Sequence, residues 1–340
     1  MGNGIWNSGS YAKSTGAKIS SGTTFTYDRT AKASGTYKAH ADLDPKIVAG
    51  PTSPFAGQVM RESRDNAEHP NSVPIALFAD VTGSMGKVPR VFQTKLGGLF
   101  GLLLRKGYVE DPQIMIGAYG DAQTDRVPLQ ASQFESDNRI DECLDNMFIE
   151  GNGGGNGGET MSLAWYYLAN HTATDAYEKR GKKGYAFFVA DEISLPVLED
   201  RWVTDAIGVG QPESALDVNT LADKVKERWD VYILLIDNMS AKIQRSEEFY
   251  VNLFGRDHVL VVEDPDAITE TIALTIGVLE GTVDLDDAVD DLKETGTTEV
   301  SLRSATKSVA GLQNLAGRGA VAKTNARLDF DSAGTSAARL

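Results

Sequence analysis

Along the middle of the chain, apolar residues gather into short unbroken runs at 75–79, 114–119, 185–190, 231–236 and 259–262, each followed by an acid or a glycine. Runs of this length with no polar alternation fit strands buried on both faces, as in a parallel sheet. Between them the apolar positions recur at helical spacing. Val91, Leu96, Leu99, Phe100, Leu103 and Leu104 predict a crossover helix after the first run. MSLAWYYLA after Thr160, Leu221 with Val225 and Trp229, and residues 268–279 predict three more. A short hairpin strand is expected at 126–129, and a short helix around Ile140, Leu144, Met147 and Phe148. Strands that alternate with helices predict an α/β fold: a doubly wound, mostly parallel central sheet with helices on both faces and right-handed crossovers.

The flanks lack this pattern. Residues 1–54 are mostly Gly, Ser, Thr, Ala and Lys with isolated Phe25, Tyr27 and Tyr37, and are expected to form a flexible arm. Residues 283–340 read as a tail, first acidic (Asp284, Asp286, Asp287, Asp290, Asp291, Glu294) and then basic (Arg303, Lys307, Arg318, Lys323, Arg327, Arg339). Neither flank is expected to bury much, which leaves one domain at 55–282. The net charge of −15 argues against nucleic-acid binding, which needs clustered cations. Cys143 is the single cysteine, so an internal disulfide and a cysteine-based zinc site are excluded; it is expected as a small buried hydrophobe. No segment supplies about 18 uninterrupted apolar residues, and MGNGIWNSGS lacks the apolar core of a signal peptide. Trp6 stands where a myristoylation motif needs Ser or Thr. A cytoplasmic or particle-associated protein without membrane contact is expected.

Candidate chemistry sits where the first run stops. Asp80, Thr82 and Ser84 alternate through a turn relieved by Gly83, so one carboxylate and two hydroxyls converge as hard oxygen donors suited to a small divalent cation. Ligands of open α/β sheets gather at such strand ends. Further along, Gly153, Gly158 and Thr160 fit the phosphate-cradling G-x-x-x-x-G-K-[ST] frame except that Glu159 replaces the lysine, and a carboxylate there repels phosphate. His69 reads as a surface hydrogen-bonder. His171 and His258 fall beyond a helix and before a strand, away from the Asp80 turn.

DVTGS resembles the first motif, Asp-x-Ser-x-Ser, of the metal-ion-dependent adhesion site of von Willebrand factor A domains, with Thr82 in the middle place. That family also supplies a threonine from a Gly-rich loop and an aspartate at the end of a later strand; here Thr160 follows GNGGGNGGE and Asp191 ends YAFFVAD. The resemblance spans residues 61–279, and RESRDNAEHPNS with DVTGSM looks similar to stand-alone bacterial and phage members. It implies a Mg2+ ion, with Mn2+ as the other candidate, held by Ser84, by Thr82 or Thr160, and by water, while Asp80 and Asp191 bridge through hydrogen bonds or water. Asn156 takes the place of Thr160 if the glycine loop is registered differently, and Asp121 is expected at the second shell or rim. The family implies a non-enzymatic interaction module whose open metal position takes an Asp or Glu of a partner protein, with an AAA+ ATPase as one partner candidate. Two alternatives stand beside it. One is a metal-dependent hydrolase or phosphotransfer enzyme, since DVTGS is similar to the DKTGT loop of P-type ATPases, although Val81 replaces the lysine. The other is a structural component of a phage or cellular assembly.

Overall fold

A computed structural model describes residues 4–21, 24–151, 157–210, 214–236 and 242–315. Helices α1 (Ser8–Ser21) and α2 (Thr26–Ser34) lead, followed by the short strand β1 (Arg61–Ser63). The long strand β2 (Val73–Asp80) passes through a turn into α3 (Val88–Phe100), and β3 (Pro112–Tyr119) is followed by β4 (Leu129–Ala131) and α4 (Arg139–Asp145). Next come α5 (Met161–Asn170), β5 (Thr172–Thr174), α6 (Asp175–Arg180) and β6 (Gly184–Ala190). Strands β7 (Val197–Glu199) and β8 (Ala215–Asp217) alternate with α7 (Asp200–Ile207) and α8 (Val218–Lys226). The chain then runs through β9 (Trp229–Ile236), α9 (Lys242–Phe254), β10 (Val259–Val262), α10 (Ile268–Glu280), α11 (Leu285–Glu294) and α12 (Glu299–Val309).

The central sheet has the order β10-β9-β6-β2-β3-β4, parallel throughout except for the antiparallel β4. This is the doubly wound α/β architecture the apolar runs predict. The hairpin strand lies at Leu129–Ala131, a few residues later than expected, because the pairing Gly117 to Ala131 and Tyr119 to Leu129 continues the edge of β3. All of β2 is buried. Its alternate residues face two cores, Ile75, Leu77 and Ala79 toward α3 and α10, and Ala76 and Phe78 toward α5 and α8. The Phe78 ring stacks on Phe188 of β6 at 5.4 Å. On the other side Phe78 is in register with Gly117, where a Cβ would stand 2.2 Å from the ring, so glycine is needed for the strands to close around it.

The flanks differ from expectation. Tyr11 and Phe25 are buried in the same core as Ile75 and Leu77, and so are Leu285, Leu292, Val309 and Leu312. Few large residues are needed because they share one face of each helix and small neighbours let the backbones approach. The Tyr11 ring occupies the space a Cβ on Gly97 of α3 would fill, 2.4 Å away, and Trp6 stacks on Phe100 at 4.1 Å. Residues 4–54 therefore hold two helices rather than a loose arm, and 285–315 form a further layer that covers α10, all of whose residues are buried. Arg318, Lys323, Arg327 and Arg339 lie outside the described residues. Among the described residues no helix is long and apolar enough to cross a membrane.

Candidate metal centre

The strand order places a switch point beside Asp80. From β2 the chain goes to β3 and β4 on one side, then crosses to β6, β9 and β10 on the other, so β2 and β6 diverge in their connections just where Asp80 and Asp191 end them. The Asp80 carboxylate is buried and used asymmetrically. Its Oδ1 accepts the Thr82 N–H at 2.7 Å and the Thr82 hydroxyl at 2.6 Å, while Oδ2 is buried without a hydrogen-bond partner. Thr82 Oγ1 lies 3.4 Å from Ser84 Oγ, and Ser84 is near enough to Asp191 to lower its carboxyl against the effect of burial. Gly83 and Ser84 are exposed, so the cluster opens to solvent at the hydroxyl end. The structure thus brings together Asp80, Thr82, Ser84 and Asp191 across two strand ends.

Thr160 and Asp121 make a second group, one loop away. The Thr160 N–H donates to the Gly120 carbonyl at 2.9 Å, and its Oγ1 accepts from the Ala122 N–H at 2.9 Å and lies 3.5 Å from Asp121 Oδ1. Asp121 is itself buried and accepts from the Gln123 N–H and the Thr124 hydroxyl, both at 2.9 Å. In these contacts the two residues tie the 120–125 loop to the start of α5. Asp121, expected at the second shell or rim, lies fully buried inside that loop, which leaves the second-shell place and not the rim. Asn156 falls outside the described residues.

Two acids that the sequence reading did not assign to the site, Glu159 and Asp125, stand near the cluster. Glu159 is 9% exposed, and its Oε2 is buried without a hydrogen-bond partner. Its backbone is fixed by the Ile193 carbonyl at 3.0 Å and the Leu195 N–H at 2.8 Å, which anchors it to the segment after Asp191. Burial, then the nearby Asp80, Asp125, Asp121 and Glu192, push its carboxyl up to about 9. Asp125 is pushed up to about 6 by burial and by Glu150 and Asp121. Asp80 itself is raised to about 7, because burial together with Asp191 and Asp125 outweighs the Thr82 donors. Asp191 is raised by burial and by Glu192, against the opposing effects of Ser84 and Lys242. The signal in the sequence was adjacency: Glu159 precedes Thr160, and Asp125 shares the loop of Asp121.

This donor set fits a hard divalent cation. It offers oxygens only, includes an unpartnered buried carboxylate oxygen on Asp80, and crowds negative charge that a cation relieves. Among the described residues no three acids, histidines or cysteines are gathered closely enough to hold a metal by themselves, so a cation here would need the Thr82 and Ser84 hydroxyls as well. The histidines are engaged elsewhere. His171 contacts the Val59 carbonyl at 3.0 Å, His258 the Val231 carbonyl at 2.8 Å, and His69 the Gly4 carbonyl at 3.0 Å.

No protein-family model and no characterised protein sequence matches the chain. Similar solved structures include the open conformation of the pilus adhesin SpaC from Lactobacillus rhamnosus GG, at 12% identity and a TM-score of 0.44 over 64% of this chain and 31% of that one. Another is proximal thread matrix protein 1 from the mussel byssus, at 11% identity and a TM-score of 0.41 over 60% of this chain and 47% of that one. A form of the same mussel protein with a zinc-occupied MIDAS motif aligns at 9% identity and a TM-score of 0.38, over 61% of this chain and 45% of that one. In each case the aligned part is less than half of the other chain.

Proposed function

We propose that this chain is a metal-dependent protein-interaction module in which Asp80, Thr82, Ser84 and Asp191 hold a divalent cation, with Mg2+ the first candidate and Mn2+ the second. The observation that carries the reading is the Asp80 carboxylate: buried, with Thr82 bonded twice to one oxygen and nothing bonded to the other. A buried carboxylate in such surroundings is unfavourable unless a positive charge joins it. Its place at the switch point, and the resemblance of DVTGS to the von Willebrand factor A motif, support the same conclusion. Bound there, the ion would supply a Lewis-acidic position for an Asp or Glu of a partner protein. Thr160 and Asp121 support the site by fixing the neighbouring loop. Beside Asp191, Lys242 and Arg245 line a shallow recess of about 50 Å³ with Glu192 and Ser246, which gives an acidic partner cations to approach.

The test is calorimetric titration of the full chain with Mg2+ and Mn2+, followed by capture of host proteins with Mg2+ or EDTA. Asp80→Ala should abolish both metal binding and metal-dependent capture while the fold survives. Unchanged metal affinity in that variant rejects the site. Metal-dependent turnover across a phosphoester and nucleotide panel, with no protein retained, replaces the interaction reading with a hydrolytic one.

A further inference from the structure

The geometry points to the N-terminal segment, and to Asp28 and Lys32 above all, as positioning residues for the loops around Asp80, an inference that rests on the metal reading above. These two side chains of α2 lie one turn apart, paired at 3.0 Å, and converge on the backbone of one residue, Ile149. Asp28 Oδ1 accepts the Ile149 N–H at 3.0 Å, and Lys32 Nζ donates to the Ile149 carbonyl at 2.5 Å. An anion on the N–H and a cation on the C=O hold the two peptides that flank the Ile149 Cα, so the pair fixes the orientation of this residue's backbone as well as its place. The preceding residue is held from the other side, where Gln130 of β4 accepts the Phe148 N–H and donates to the Phe148 carbonyl, both at 2.8 Å. Two residues beyond Ile149, the Gly151 N–H donates to the Val81 carbonyl at 3.1 Å. Val81 lies between Asp80 and Thr82. The grip of α2 is thereby passed to the backbone of the D-x-T-x-S turn.

A second contact from the same segment reaches the other loop. The Arg126 guanidinium sits 3.7 Å over the Tyr37 ring, and Arg126 follows Asp125, whose carboxylate accepts the Asp121 N–H at 2.7 Å. The Tyr27 hydroxyl donates to the Lys38 carbonyl at 3.0 Å, which ties the Tyr37 stretch back to α2. Residues 27–38 therefore touch both chain segments that border the Asp80 cluster, at Ile149 and at Arg126. Groups that hydrogen-bond a metal's ligands set its affinity, typically by about 10–100-fold, and residues 27–38 act one step behind such contacts, through the backbone between Asp80 and Thr82.

The experiment is a calorimetric Mn2+ titration of the full chain, run beside thermal unfolding in EDTA. Lys32→Ala and the Asp28→Ala/Lys32→Ala double variant are expected to weaken Mn2+ binding on the order of tenfold. For Lys32→Ala the metal-free unfolding midpoint should move little, since that side chain is 39% exposed. The exchange Asp28→Lys with Lys32→Asp keeps an ion pair along the helix but turns the wrong charge toward each pole of Ile149. It should bind Mn2+ as weakly as the double alanine variant. Wild-type affinity in the exchanged protein or in the double alanine variant overturns the inference. So does a loss of affinity accompanied by a matching fall in the metal-free midpoint, which assigns Asp28 and Lys32 to stability alone. Asp80→Ala separates the two failures: if it retains Mn2+ the metal reading itself is wrong, whereas if it loses Mn2+ while the α2 variants keep it, only the positioning role is lost.

Discussion

Asp80→Asn keeps the shape of the side chain and removes its charge, so in EDTA it should stabilise the fold at alkaline pH and lose that advantage in acid. Burial, together with Asp191 and Asp125 and against the Thr82 donors, lifts the Asp80 carboxyl from 3.8 to about 7. At about 1.4 kcal/mol per pH unit, the ionised group opposes folding by at most about 4 kcal/mol. Between pH 3.8 and about 7 the unfolded chain has released a proton that the folded protein keeps. Stability therefore falls as pH rises through this window and stays reduced above it. The amide places an N–H pair where Oδ2 has no partner, which gives back about 1–3 kcal/mol. The net gain expected at about pH 8 is therefore about 1–3 kcal/mol, turning to a small loss near pH 4. Urea unfolding in EDTA at the two pH values measures it. An asparagine variant that is no more stable than wild type at the higher pH, or equally advantaged at both, refutes the buried-charge reasoning. With Mg2+ present the order should reverse, because only the wild type gains binding free energy on the folded side.

Gly117→Ala should destabilise by about 1–3 kcal/mol through overpacking, because its Cβ would stand 2.2 Å from the Phe78 ring. Adding Phe78→Leu should recover part of that loss in chemical denaturation, and purely additive losses would contradict the close-packing argument. Arg180→Gln should move the acid-unfolding midpoint to higher pH. Although burial pulls the other way, Arg180 and Ser72 hold the Asp65 carboxyl below its usual range, so its stabilisation is present above the ordinary carboxylate pKa and is lost as pH falls through the depressed one; an unmoved midpoint removes that role. The Cys143 thiol, pushed up to about 12 by burial and by Glu135 and Asp42, should react with a disulfide reagent only after denaturant is added. Rapid labelling of the native protein would show that the α4 region opens.

The central strands could be read from the sequence because buried parallel strands write unbroken apolar runs, and the turn after Asp80 because alternating oxygens stand out against such a run. Cys143 is buried as composition alone suggested. The N-terminal helices were hidden by their chemistry: SGSYAKSTGAKISS has weak helix formers and one large aromatic, and Tyr11 gains its burial from a glycine on α3, distant in the chain. The same applies to α12, where Ser301, Ser304 and Ala305 are buried small residues that carry no apolar stripe. Glu159 and Asp125 were missed because their charge matters only through loops that the fold brings together. Thr160 was correctly placed before a helix, and its hydroxyl meets the Ala122 N–H and the Asp121 carboxylate, contacts that no spacing in the sequence announces.

The shared core of the two flanks has a consequence for synthesis. Tyr11 and Phe25 meet Ile75 and Leu77 in the same cluster that Val309, Leu312 and Leu315 complete. At about 5–20 residues per second, a ribosome needs on the order of 15 to 60 seconds to deliver both ends of that cluster. During this time one face of the nascent sheet lacks its outer layer, while the opposite face, closed by α5, α7, α8 and α9, is complete once α9 has emerged. The half-covered chain therefore keeps the α10 surface open to solvent until α11 and α12 arrive to seal it.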